Sequence, residues 1–114
     1  ATAKSFGLAT SSSREEAMKV LDGLDLRSPF KVVTTRDDVE QLKPDPEVYL
    51  KTASALNVAP EDCVVFEDSQ SGVKAAKAAG TFCVGLTTSF SREALSQADR
   101  TIADFTELLD ASGE

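Results

Sequence analysis

The sequence predicts an α/β protein in which helices flank a parallel sheet, and three observations predict it. Short β-rich apolar runs alternate with helical segments at the spacing of strand–helix–strand units. Those runs are continuously apolar, as strands are when helices cover both faces of a sheet. Polar residues collect just after the strands, at Thr10-Ser11-Ser12, Thr34-Thr35, Glu67-Asp68 and Thr87-Thr88-Ser89. In open parallel sheets, ligands bind beyond the carboxyl ends of the strands.

The elements follow in order. The first strand is SFGLAT, residues 5–10. Ser13 and Glu16 form a capping box, and behind it Ala17, Val20, Leu21 and Leu24 share one helical face. FKVVTT, residues 30–35, is the second strand. The next helix takes Asp45 as N-cap and Pro46 as its first residue, with Tyr49, Ala53 and Leu56 inward. Residues 62–68 make the third strand, and a helix runs from Ser71 to Ala79 until Gly80 stops it. Residues 81–86 make a further strand. Ser91 caps a short helix through Ala98, RTIAD is a last strand, and Asp104 with Glu107 caps a final turn.

The 114 residues suit one domain, 1–114, without repeats or an obvious linker. The net charge of −7, with scattered Lys and Arg, disfavours nucleic acid and anionic membrane surfaces as partners. No apolar run approaches the roughly 20 residues of a membrane span. The first residues lack the layout of a signal peptide, so the expected location is cytoplasmic. Cys63 and Cys83 sit in apolar runs and read as small hydrophobes; a disulfide or a metal site is the alternative, without a CxxC or any His to support it. The absence of His also removes the usual general base and the Ser/His/Asp triad.

Two adjacent carboxylates at a strand end repel each other unless a cation neutralises them. Glu67 and Asp68 therefore suit Mg²⁺, which takes one or two carboxylates and keeps water and phosphate oxygens. The competing reading makes Asp68 a helix cap and leaves Glu67 in solvent. Lys43 is followed by Pro44 and Pro46, which stiffen the segment and suit an ammonium placed against a phosphate or against a carboxylate nucleophile that needs charge balance; a plain surface lysine is the alternative. LATSSS ends a strand in hydroxyls and opens a helix, whose free N–H groups favour an anion; plain capping by Ser13 is compatible with that. The alanines of SGVKAAKAAG read as close helix–sheet packing, Gly72 lets the first turn approach a ligand or the neighbouring loop, and Tyr49 and the phenylalanines read as core.

These segments carry a resemblance. LATSSS followed by LKPDPEVYLKTASALNVAPEDCVVFEDSQSGVKAAKAAG resembles the second half of a haloacid dehalogenase-like (HAD) hydrolase, over roughly residues 5–90. It is most similar to the branch of sugar-phosphate phosphatases, phosphoglycolate phosphatases and β-phosphoglucomutase. The resemblance implies a Rossmann-like core and a small phosphorylated metabolite as substrate of the intact protein. Thr10 matches the hydroxyl that holds the transferring phosphoryl group, with the Ser11 N–H beside it. Lys43 matches the lysine that balances nucleophile and phosphate. Asp68 matches the Mg²⁺ ligand, Glu67 its neighbour that binds directly or through water, and Ser69 and Gly72 the surrounding loop.

The departure is large. The family's nucleophile opens an Asp-x-Asp-Gly-Thr segment at the end of its first, central strand, and no such segment occurs here. Asp37 and Asp38 of TRDDVE are not substitutes, because they lack the Gly-Thr and follow the hydroxyl motif. The substrate-selecting cap is absent as well. The expected sheet thus lacks its middle strand, whose neighbours must pair directly, borrow a strand from another chain, or belong to a longer polypeptide. The last is favoured, because the chain starts close to a strand.

The leading expectation is the C-terminal part of a Mg²⁺-dependent phosphatase or phosphomutase, working through an aspartyl-phosphate and inactive alone. A non-catalytic phosphate- or protein-binding module is the second. A phospho-receiver domain is the third; there acids, hydroxyl and lysine come in a different chain order.

Overall fold

The computed structural model describes residues 6–24 and 30–103. Five strands, three α-helices and two short 3₁₀ turns alternate along them. β1 (Phe6–Ala9) leads to α1 (Arg14–Gly23) and β2 (Phe30–Thr34). α2 (Glu47–Leu56) precedes β3 (Val64–Glu67), α3 (Gln70–Ala79), β4 (Phe82–Leu86) and β5 (Arg100–Ile102). Every strand pair is parallel, so the predicted α/β class with helix-flanked parallel sheets holds.

The strands divide into two sheets, β1–β2 and β3–β4–β5. β1 and β3 each have a single strand neighbour among the described residues, so direct closure of one onto the other does not occur. Helices join the sheets instead. α2 packs on β1 and β2 and also on α3, which packs on β3 and β4. The approach of α2 to β1 is close: a Cβ on Gly7 would lie 2.7 Å from Thr52 Cγ2. Val48 and Tyr49 of α2 meet Val73, Ala75, Ala76 and Ala79 of α3, with Cys83 and Leu95, in one buried cluster. The alanines of α3 therefore allow the close packing their size predicted.

Local signals set most element ends. Ser13 Oγ accepts from the Glu16 N–H and Glu16 Oε1 from the Ser13 N–H, each at 3.2 Å, completing the capping box. Ser69 caps α3 by accepting from the Gly72 N–H at 3.0 Å, and Gly80 ends it at φ 89°. At α2 the cap is displaced by one position. Pro46 occupies the N-cap, and Asp45 Oδ1 accepts from the Glu47 N–H at 3.0 Å from just outside.

Four expectations fail. Residues 91–98 form a run of turns, with Ala94 N–H on Ser91 Oγ, in place of the expected helix. Their hydrogen bonds mix three- and four-residue spans, Leu95 N–H facing both the Ser91 and Arg92 carbonyls at 3.2 Å. On α1, Ala17 and Leu21 are buried but Val20 and Leu24 are exposed, so the apolar stripe is covered only in part. Burial on both faces also fails at β1 and β3, where Phe6 is 56% and Val64 57% exposed and Phe66 is exposed too; with Phe82 of β4 and Phe90 also exposed, these four phenylalanines are not core. β1 and β3 each lack a second neighbour among the described residues. The capped turn expected at Asp104 and Glu107 lies outside the described residues.

Asp99 ties the second sheet together. Its Oδ2 accepts from Lys77 Nζ and from the Cys83 N–H, each at 2.7 Å, and its own N–H donates to the Cys83 carbonyl at 2.8 Å. The Lys77 hydrogen bond, then the Cys83 N–H, hold the Asp99 carboxyl below the usual carboxylate range. A carboxyl lowered by folding stabilises the protein above its unfolded value of about 3.9 and loses that contribution as pH falls through its folded value. Asp99→Asn is therefore expected to melt lower than the native chain at pH ~7, with the gap closing below pH ~4; thermal unfolding of both proteins across that range measures it.

Candidate functional site

The site begins with β3. Strand side chains alternate between faces, so Glu67 and Asp68 at its carboxyl end part company. Glu67 turns inward and is only 9% exposed, whereas Asp68 is exposed. A buried carboxylate needs charge balance and hydrogen bonds on both oxygens, and Glu67 has them. Lys43 Nζ donates to Oε2 at 2.9 Å, and the Tyr49 hydroxyl donates to the same oxygen. Oε1 accepts from Ser69 Oγ and from the Asp68 N–H, each at 3.2 Å. The lysine and glutamate side chains are 11% and 10% exposed, so the pair is shielded from water. The Lys43 ammonium also lies 5.0 Å from the centre of the Tyr49 ring, a cation–π distance.

Electrostatics follow from that packing. Burial pushes the Glu67 carboxyl up, but the Tyr49 hydrogen bond and the Lys43 charge outweigh it, and the net displacement is downward. Burial, followed by the Glu67 charge, drives the Tyr49 phenol far above its ordinary value, so Tyr49 is a donor. Burial likewise pushes the Cys83 thiol up to about 11. Both cysteines are free thiols.

Gly72 explains how Glu67 fits. A Cβ there would fall 1.9 Å from Glu67 Cδ, so the first turn of α3 presents bare backbone to the carboxylate. The close approach expected of this glycine toward a ligand or the neighbouring loop is made instead to the side chain of Glu67, the last residue of β3.

Thr10 reaches the same rim through α2. Tyr49 contacts Glu67 at the end of β3, and Thr52, one helical turn later, gives its hydroxyl proton to the Val48 carbonyl and shares a second hydrogen bond with Thr34 Oγ1 at 2.8 Å, at the end of β2. Three residues of helix rise about 4.5 Å. Thr34 pairs with Ala9 across the sheet, and the Thr10 N–H donates to the Thr34 carbonyl at 2.9 Å. Thr10 Oγ1 accepts from the Ser12 N–H at 3.1 Å, which folds the hydroxyl loop back on itself, and Ser11 is exposed. The carboxyl ends of β1, β2 and β3 therefore meet along one helix. Among the described residues, no hydrogen bond or ion pair joins Thr10 or Ser11 to Lys43, Glu67 or Asp68.

Asp37 and Asp38 have structural work. Asp38 Oδ2 accepts from the Thr35 N–H at 2.8 Å, from Thr35 Oγ1 at 3.0 Å and from Arg14, while Asp37 Oδ2 accepts from the Arg14 N–H at 2.8 Å. They fasten the start of α1 to the loop after β2, in line with their exclusion as nucleophiles.

Tyr49 is the residue whose part the sequence reading missed. It is core by burial, yet its hydroxyl serves the acid cluster. The available signal was chemical: a buried tyrosine hydroxyl needs a polar partner. The donor set suits a hard cation, since the Asp68 carboxylate is exposed and without a hydrogen bond or ion pair among the described residues. It is not a complete cage, because no group of three or more acidic, Cys or His side chains converges among those residues.

Residues 2–86 match the family model described as haloacid dehalogenase-like hydrolase. The chain is 48% identical over 103 residues to validoxylamine A 7′-phosphate phosphatase of Streptomyces hygroscopicus subsp. limoneus, covering 90% of this chain and 48% of that protein. It is 39% identical over 116 residues to phosphoglycolate phosphatase of Salmonella paratyphi A, covering 99% of this chain and 46% of that protein. The crystal structure of a HAD phosphatase from Thermococcus onnurineus superposes with a TM-score of 0.84 at 34% identity, over 96% of this chain and 50% of that one. The chain thus spans about half the length of these relatives.

Gly72→Ala is expected to cost about 1–3 kcal/mol, because its methyl group and the Glu67 carboxyl compete for one space. Urea unfolding measures it, and Gly23→Ala, where nothing lies within 4 Å of the added carbon, is the control.

Proposed function

The chain belongs to the haloacid dehalogenase-like hydrolases, and from that premise we propose that it is the C-terminal part of a Mg²⁺-dependent phosphomonoesterase or sugar phosphomutase. One observation carries the proposal: a shielded ammonium, Lys43, and an open carboxylate, Asp68, flank the carboxyl end of β3, while the Thr10 hydroxyl follows the carboxyl end of β1.

In this reading the substrate is a small phosphorylated metabolite. The Thr10 hydroxyl and the Ser11 N–H donate to oxygens of its phosphoryl group, and Lys43 balances their charge. Asp68 would hold the metal through its open carboxylate, with Glu67 behind it. When bound, Mg²⁺ neutralises charge that gathers on the phosphoryl oxygens. The nucleophile is an Asp outside this chain. It attacks phosphorus, the ester oxygen leaves, and the aspartyl-phosphate passes its phosphoryl group to water or to a sugar hydroxyl. The edges of β1 and β3, each with one strand neighbour among the described residues, and the exposed Phe6, Val64 and Phe66 support completion by a strand that brings this Asp. That strand comes from the protein's own N-terminal part or from another chain.

The test is reconstitution. The chain alone is expected to turn over no phosphomonoester, and a segment bearing the Asp-x-Asp motif to restore Mg²⁺-dependent turnover. In the restored protein, Lys43→Ala should cut turnover by about 100-fold or more, and Asp68→Asn should raise the Mg²⁺ concentration needed for half-maximal rate. Equal turnover by the chain alone would overturn the reading. If the segment changes nothing, a non-catalytic binding module replaces it.

A further inference from the structure

We infer that Tyr49 is a positioning residue for Lys43, acting through Glu67, and that Glu67 is committed to this task, so that a metal meets only Asp68 from this chain. The statement about the metal deepens the function proposed above; the statement about Tyr49 and Lys43 is independent of it.

An ionised carboxylate has about four acceptor positions. On Glu67 four donors take them: Lys43 Nζ and the Tyr49 hydroxyl on Oε2, Ser69 Oγ and the Asp68 N–H on Oε1. Direct ligation of a metal would expel at least one donor into a space where no buried side-chain polar atom is now unpaired among the described residues. Gly72 closes the remaining side, since even one added carbon there collides with the carboxyl group. Asp68, next along the chain, has neither burial nor side-chain partners among the described residues. The two acids of the pair therefore do different work. Glu67 fixes where the ammonium stands, and Asp68 is the one open to a cation.

Tyr49 is what makes the fixing rigid. It reaches Glu67 from the first turns of α2, an element that Pro44 and Pro46 join directly to Lys43. Its ring flanks the ammonium, and its hydroxyl shares the oxygen that the ammonium uses. Lysine, tyrosine and glutamate thus form a closed triangle of contacts, and the tyrosine corner alone can lose its polar group without loss of charge or shape.

The test compares the native chain with Tyr49→Phe by trace acetylation of lysines, read by mass spectrometry. Lys77, held by Asp99 and the Thr81 carbonyl away from this cluster, is the internal reference. Tyr49→Phe is expected to raise Lys43 labelling by about five-fold, the worth of one hydrogen bond of ~1 kcal/mol, and to leave Lys77 unchanged. Glu67→Gln, which keeps the shape and removes the charge, should raise it further. An unchanged Lys43 rate in Tyr49→Phe, or an equal rise at Lys77, would overturn the positioning role. For the metal, Tyr49 is the only tyrosine of the chain, so ring-fluorinated tyrosine gives one resonance from it. In the completed protein this resonance, assigned by its loss in Tyr49→Phe, should stay in place at saturating Mg²⁺. A shift matching that of Glu67→Gln would show Glu67 moving to the metal and would overturn the assignment to Asp68 alone. Absence of any Mg²⁺ binding by calorimetry would defeat the metal part of the functional reading, while acetylation still decides the role of Tyr49.

Discussion

The structure depends on one buried anion. Glu67 ends the strand β3 with its carboxylate turned into the protein, and a charge in that position is tolerable only if it is paired and fully hydrogen-bonded. Its partners come from three places: the segment before α2, the first turns of α2, and the loop that opens α3. Satisfying one carboxylate therefore fixes the mutual placement of a strand, two helices and a proline-stiffened loop. The bare backbone at Gly72 is the steric condition that lets this happen.

The same interaction explains how two separate sheets stand as one body. β1–β2 and β3–β4–β5 share no strand pairing among the described residues. α2 spans the division, its Thr52 on the end of β2 and its Tyr49 on the end of β3. The polar contacts set the register of the helix against both strand ends, and the buried cluster of Val48, Tyr49, Val73 and the α3 alanines supplies the apolar contact beneath them. What the chain leaves uncovered is consistent with its coverage of about half of its relatives. Apolar side chains stay in water along β1 and β3, each of which has one strand neighbour among the described residues.

Two consecutive acids thus meet opposite surroundings, for a reason that lies in strand geometry. Successive side chains leave a strand on opposite sides. At the end of β3 one side is the packed interface with α2 and α3, and the other is solvent. An acid pair that looks redundant in one dimension becomes a structural carboxylate and an open one.

Much was legible in the sequence because it depends on residues close along the chain. The capping box at Ser13, the stop at Gly80, the strand cores and the alternation that makes the sheets parallel all involve neighbours within a few positions, where residue type and spacing suffice. The tertiary structure decided the rest. Tyr49 and Glu67 are 18 positions apart, Lys43 and Glu67 24, and Arg14 and Asp38 24. Nothing in the type of a buried tyrosine or a loop aspartate says which distant partner it will meet. The turns at 91–98 and the exposure of Val20, Phe6 and Val64 were hidden for the same reason. Helix and burial signals assume that a packing surface is present, and only the three-dimensional arrangement determines whether it is.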